Sequence, residues 1–202
     1  MPTTVALLLY PGCDLLDIGG PYEVLLTANR LARRDGGDPP FSIVTVSGDG
    51  RSVTSYGGMG LRPTAAIEQV PHADVVVVPG AVDVAGVLSD DALVADVREL
   101  TELADLVTSV CTGSFLLAAT GRLAGRRATT HHEDLADLAA RDDVGEVVEA
   151  SWVDDGDVVT AGGLSNGLAL GLHLVDRLAS RELARRTAVQ LDYAWEPEGP
   201  TA

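Results

Sequence analysis

Short runs of valine, isoleucine and threonine alternate along most of the chain with stretches whose apolar side chains recur at helical spacing. No other feature limits the possible folds as tightly. A run such as VVVV at 75–78 has no polar face, so it suits a strand covered on both sides, and covering both sides takes helices. The expected fold class is therefore α/β: a flavodoxin-like, doubly wound, mostly parallel sheet flanked by helices.

Strands are expected from Thr4 to Tyr10, Phe41 to Ser47, Asp74 to Pro79 and Asp105 to Cys111. A helix is expected from Pro21 to Arg34, with Val24, Ala28 and Leu31 on one side, Pro21 in its first turn and Glu23 near its positive end. Ser89 as N-cap, with Asp90 and Asp91 in the first turn, opens a second helix whose apolar residues run through Leu100. After Cys111 come a short helix to Gly121, a basic turn, and an amphipathic helix from about His131 to Arg141.

The pattern then changes. VVEASWV and DVVTAGG are separated by Asp154, Asp155 and Gly156, a turn signal that predicts a hairpin rather than another crossover. Ser165 to Leu178 and Arg181 to Leu191 read as helices, and Pro197 and Pro200 mark a frayed tail. The length suits a single domain over residues 1–202.

A net charge of −16 argues against nucleic acid and anionic membrane as partners. All 14 basic residues are arginine, and that bias with the abundance of Asp, Ala, Val and Gly fits a GC-rich genome or adaptation to high salt, which composition does not separate. VALLLY near the start lacks a basic lead and a cleavage site, and no run approaches the roughly 20 apolar residues of a membrane span. Cys13 and Cys111 lie far apart and match neither a disulfide framework nor a metal-ligand spacing. These features predict a soluble, cytoplasmic protein.

LVTSVCTGSF, from Leu106 to Phe115, delivers a cysteine to a turn of small residues before a helix-like LLAA. The same strand-turn-helix bend exposes the serine of G-x-S-x-G, so a nucleophile elbow is expected at Cys111, with helix N–H groups lowering the thiol pKa. A buried, inert thiol is the competing reading.

In a doubly wound sheet, ligands bind beyond the carboxyl ends of the strands, which would bring YPGCDLLDIGGPYEV, VVVVPGA and Cys111 to one pocket. Asp17 is then the candidate acid/base beside the thiol, against a plain role in a turn or at a helix start. Crowding against a thiolate would raise its pKa. Asp14 reads as a solvated turn residue and Glu23 as dipole compensation.

The amides of Gly80 and Thr112 are candidates for stabilising charge on a reacting atom. Histidine, the usual base for a cysteine nucleophile, is absent directly after Cys111, where Thr112 stands. His131 is a candidate for touching the site, although TTHHED also reads as a helix-capping sequence. His72 and His173 read as structural, Cys13 as a packed loop cysteine or a second redox thiol, and no cluster has metal-ligand spacing.

Together, LLLYPGCDLLDIGGPYEVL, VVVVPGA, SVCTGSFLLAATGRLAGRRATTHH and VVTAGGLSNGLALGLHLV resemble the ThiJ/PfpI superfamily, whose fold is that of class I glutamine-amidotransferase domains. Within it, LLDIGG, VCTG and QLDY are most similar to the isonitrile hydratase (isocyanide hydratase) members. The resemblance implies a Cys111 nucleophile, Asp17 as its acidic partner, Thr112 beside the thiol, and the Gly80 amide at the oxyanion-like position. It also implies a cofactor-independent hydratase, a small uncharged electrophilic substrate, and a homodimer.

Thr112 disfavours the peptidase members, which place His after the nucleophile. Asp17 and Thr112 together disfavour glyoxalase-type members, which carry Glu and a supporting His. PGA, TTHH and GLSNGLA depart from the PGG, TTHW and GVTAGID of hydratase-like sequences, so Ala81, His132, Ser165, Asn166 and Ala169 are positions where the pocket would differ. Two further readings stay open. One is a stress-response or redox-sensing protein with an oxidisable Cys111. The other is a small-molecule-binding module like the sensor domains of arabinose-regulator relatives, whose C-terminal helix-turn-helix the chain is expected to end too early to carry.

Overall fold

A computed structural model describes residues 1–197. Strand β1 (Thr3–Leu8) leads through α1 (Leu15–Arg34) to β2 (Phe41–Ser47). A small hairpin of β3 (Val53–Thr54) and β4 (Gly60–Leu61), then β5 (Ala65–Ala66), precede β6 (Ala73–Val78). Helices α2 (Val84–Leu88) and α3 (Asp91–Glu102) carry the chain to β7 (Ala104–Val110), and α4 (Gly113–Ala119) follows. After β8 (Arg127–Ala128), α5 (Leu135–Ala139) and β9 (Glu146–Val147) come β10 (Trp152–Asp154), β11 (Val158–Ala161), α6 (Asn166–Leu178) and α7 (Arg181–Gln190).

The main sheet has the order β10-β11-β7-β6-β1-β2-β5 and is parallel except for β10. The connection β1 to β2 steps one way across it and β6 to β7 steps the other way. Both crossovers being right-handed, α1 and α3 must lie on opposite faces. Accordingly α1 packs with α6 and α7, while α2, α3 and α4 pack together. Val5 to Leu8 and Val75 to Val78 are almost wholly buried, as double coverage requires.

Helices α1 and α6 approach unusually closely. A Cβ on Gly20 would stand 3.2 Å from the backbone of Gly167, and one on Gly171 would stand 2.8 Å from Val24 Cβ. Buried Asn29 ties α1 to the sheet by donating to Phe41 O at 2.8 Å and accepting from Phe41 N at 2.9 Å. The hairpin expected around Asp154 forms, and His173 of α6 clamps it. Its Nε2 lies 2.7 Å from Asp154 Oδ2, and its ring stacks on Trp152 at 4.0 Å.

Several boundaries differ from the sequence reading. Helix α1 starts at Leu15, six positions before Pro21, which lies inside the helix. Proline there removes one backbone bond and crowds the carbonyl four residues back, but burying Asp17, Ile18 and Gly20 keeps the preceding turn helical. Glu23 is thus an exposed mid-helix residue, too far from the N-terminus to offset the dipole, and Asp17 is the acid of the first turn.

Ser89 is the C-cap of the unforeseen α2, whereas Asp90 caps α3 through Ala92 N and Leu93 N, both at 3.1 Å. The helix expected from His131 is a 3-10 turn at His132–Asp134 followed by the five-residue α5. Pro197 sits in a turn, and Pro200 lies outside the described residues. No helix among the described residues is long and apolar enough to cross a membrane.

The α1–α6 seam generates a contrast between two glycines. Gly171→Val should destabilise the fold by about 1–3 kcal/mol in chemical denaturation through overpacking against Val24. Gly19→Ala, where an added Cβ meets nothing within 4 Å, should be neutral or stabilising by up to about 1 kcal/mol.

Candidate active site

The chain reverses its direction of travel across the sheet between β1 and β6, and the loops leaving β1, β6 and β7 meet just beyond that switch point. They are locked to one another. Cys13 forms an isolated antiparallel bridge with Ala81, Asp14 N–H donates to Gly80 O at 2.9 Å, and the buried Tyr10 hydroxyl donates to Pro79 O at 2.8 Å. Cys13 is fully buried in that bridge, and both cysteines are free.

Cys111 occupies the turn between β7 and α4 with φ at 56°, a left-handed conformation that costs a non-glycine residue energy. Its surroundings hold it there. The Cys111 N–H donates to Ala161 O and Gly162 O, both at 3.0 Å, and its carbonyl accepts from Thr130 Oγ1 at 3.1 Å and Ser114 Oγ at 3.3 Å. Gly113 lets the first turn of α4 settle against the carbonyls of Val78 and Pro79, a space any Cβ would invade. Thr112 Oγ1 accepts from Ala81 N at 2.9 Å and donates to Ala81 O at 2.8 Å, fixing the β6 and β7 loops together.

Asp17 has no exposed surface. Its Oδ2 accepts from Gly80 N at 2.9 Å, and its Oδ1 has no hydrogen-bond partner. The Gly80 amide, expected to face a reacting atom, is thus committed to the carboxyl. The contact also demands glycine, since a Cβ would lie 2.5 Å from Thr112 Oγ1 and 2.9 Å from Asp17 Oδ2.

Burial pushes the Asp17 pKa up to about 7, with Asp14 adding to the rise, while the Gly80 amide and the Cys111 thiol restrain it. Burial, followed by the Asp17 charge, likewise pushes the Cys111 thiol up to about 12, against the backbone N–H groups of Thr112 and Leu164. The sequence had predicted a thiol lowered by the following helix. That helix has only seven residues, and desolvation beside a carboxylate outweighs its N-terminal amides. Above pH 7 the two groups together hold one proton and one negative charge.

Cys111 and Thr112 line a cavity of about 240 Å³ with Asp14, Ala81, Val82, His131, Glu133, Asp134 and Leu164. The expected residues Cys111, Asp17, Thr112, Gly80, Ala81 and His131 are therefore brought together or directly adjoin one another. Ser165 is not among them. It lines a larger cavity of about 760 Å³, which shares His131 and Leu164 with the first.

His131 Nδ1 accepts from Glu133 N at 3.4 Å and lies 3.4 Å from Asp134 Oδ2, so the capping role and the place in the site coexist. Sequence reading missed Glu133, Asp134 and Leu164 as lining residues and gave Asp14 only a turn role. Leu164 has φ at 39°, and nothing in GLSNG singled it out for the glycine-like conformation. Two trios, His131 with His132 and Glu133, and His72 with Asp74 and Asp105, bring ligand atoms within 4.8 Å of one another. The second trio joins different strand ends, which local spacing could not reveal.

The profile of the DJ-1/PfpI family matches residues 3–177. The chain is 36% identical over 200 residues to an isonitrile hydratase of Pseudomonas putida, covering 98% of this chain and 81% of that protein. A solved ThiJ/PfpI family protein from Pseudomonas syringae superposes with a TM-score of 0.83 at 28% identity, covering 98% of this chain and 77% of that one. The HTH-type transcriptional regulator GbdR of Pseudomonas aeruginosa is 29% identical over 187 residues, covering 91% of this chain and 48% of the regulator.

The buried carboxyl makes stability pH-dependent. Asp17 binds its proton more tightly folded than unfolded, so its stabilising contribution is complete below the ordinary carboxylate pKa of 3.8 and is lost as pH rises to about 7. Asp17→Asn does not titrate. Its unfolding free energy, measured by chemical denaturation across that pH range, should gain on the wild type between those limits, the difference reaching at most about 4 kcal/mol above pH 7. Thr112→Val, which strands the Ala81 amide and carbonyl, should cost about 2 kcal/mol in chemical denaturation.

Proposed function

The chain belongs to the DJ-1/PfpI family, and from that membership we propose that it is a cysteine-dependent hydratase converting a small isonitrile to its N-substituted formamide. The observation that carries this reading is the pair of Cys111, in a left-handed turn that lines a cavity, and Asp17, fully buried with one oxygen unpartnered. The similarity to an isonitrile hydratase over nearly the whole chain supports the substrate class.

The chemistry needs no outside acid or base. Asp17 carboxylate accepts the thiol proton as sulfur attacks the terminal isonitrile carbon, forming the C–S bond. The carboxylic acid then delivers that proton to the same carbon, leaving a thioimidate. Asp17, again a carboxylate, takes a proton from water as hydroxide adds to the thioimidate carbon, and passes it to nitrogen. Collapse of the adduct breaks the C–S bond, releases the formamide and returns the hydroxyl proton to sulfur. The net reaction is addition of one water to the isonitrile.

A thiol pushed up to about 12 suits this scheme, because a proton held in the pair is needed at carbon. It suits the peroxide-sensing alternative less. Such sensors depend on a thiolate, and burial together with the Asp17 charge holds the Cys111 thiol protonated. The similarity to GbdR supports a third reading, reversible ligand binding without turnover.

Purified protein should convert an aryl isonitrile to a product heavier by one water, and Cys111→Ala should abolish the conversion. The doubly protonated pair is unreactive, so kcat/KM should rise as pH increases through about 7 and then level. Asp17→Asn should lose at least about a hundredfold and lack that rise. An unchanged isonitrile, with ligand still bound by Cys111→Ser, would favour the binding module instead.

A further inference from the structure

The charges around Cys111 are one-sided. The residues lining the cavity that holds the thiol include three acids, Asp14, Glu133 and Asp134, with His131 and otherwise neutral residues. The adjoining larger cavity adds Glu149 and His132. No arginine lines either cavity, and the chain has no lysine. Among the described residues, the carboxylates of Asp14, Glu133, Asp134 and Glu149 have no arginine partner. Glu133 and Asp134 lie 3.9 and 3.4 Å from His131 Nδ1, and Glu133 also stands within 4.8 Å of a ring nitrogen of His132.

Some acids elsewhere on the molecule do have an arginine partner, as in Arg126 with Asp157, Arg141 with Asp143 and Arg177 with Asp154. A cleft lined by one sign of charge, with low-dielectric walls, focuses that potential on whatever enters.

We propose that the Cys111 site selects electrophiles whose reacting end is neutral and whose tail is cationic, with Glu133, Asp134 and Asp14 facing the tail, and that it rejects anionic ones. This rests on the hydratase reading only for the identity of the electrophile; the charge preference belongs to the cavity. It carries a consequence for reactivity. Burial, then the Asp17 and Asp14 charges, hold the thiol in its protonated form, and a cationic tail placed beside Asp14 in the cavity opposes them. The preferred ligand thereby eases ionisation of the sulfur that attacks it.

The test uses three thiol reagents of similar size: trimethylammonioethyl, ethyl and sulfonatoethyl methanethiosulfonate. Each transfers its thioalkyl group to Cys111 sulfur, releasing methanesulfinate and a proton. Rates followed by mass at the Cys111 peptide are divided by rates with 2-mercaptoethanol, so that intrinsic reactivity cancels. The normalised cation rate should exceed the anion rate at least about tenfold at low salt, with the neutral reagent between them, and molar salt should compress the ratio. Glu133→Gln with Asp134→Asn should compress it too, whereas a purely structural role for these acids would leave it unchanged.

Equal normalised rates, a faster anion, or a ratio untouched by the double variant would overturn the inference. A parallel turnover assay with trimethylammonioethyl isocyanide and isocyanoacetate separates the two claims. Cation-selective labelling without any isonitrile turnover sinks the hydratase reading and leaves the charge preference standing. Charge-blind labelling with turnover does the reverse.

Discussion

A single hydrogen bond, from the Gly80 amide to Asp17 Oδ2, joins the parts on which the site depends. It ties the first turn of α1 to the end of β6, in a gap so narrow that only glycine fits between Asp17 and Thr112. Thr112 in turn grips Ala81 with both functions of its hydroxyl, which pins the loops after β6 and β7 to each other. Through these contacts the left-handed turn at Cys111, unfavourable in itself, becomes the conformation the surrounding backbone imposes.

The same tightness sets the chemistry. Removing Asp17 and Cys111 from water favours their neutral forms; the Asp17 charge raises the thiol pKa further, whereas the thiol restrains the rise at Asp17. The fold therefore stores a carboxyl with one unsatisfied oxygen and a thiol that retains its proton. Above pH 7 this costs stability relative to an uncharged side chain. Such a cost fits a group kept for proton transfer rather than for packing.

The doubly wound sheet, the late hairpin and the convergence of three loops on Cys111 were all legible in the chain, because each is written in local periodicity or in the general rule for α/β sheets. Asp17 was legible as a candidate, but its helical setting was not. Pro21 reads as a first-turn residue, and the close packing of Gly20 on Gly167 accompanies a helix that begins six positions earlier. Ser165 illustrates the opposite error: it adjoins Leu164 in the chain, yet the turn at Leu164 directs it into the neighbouring cavity.

The alternation of β-branched runs and amphipathic stretches sufficed to determine the layers, the strand that carries Cys111 and the end of the sheet where it emerges, since burial periodicity is a property of the chain alone. Tertiary structure decided the ionisation of the pair, the assignment of the Gly80 amide and the acidic lining from Glu133 and Asp134. Those depend on desolvation and on distances between segments remote in sequence. An elbow motif predicts a lowered thiol pKa from its helix, and only the packed site shows a helix too short, and a carboxylate too near, for that to hold.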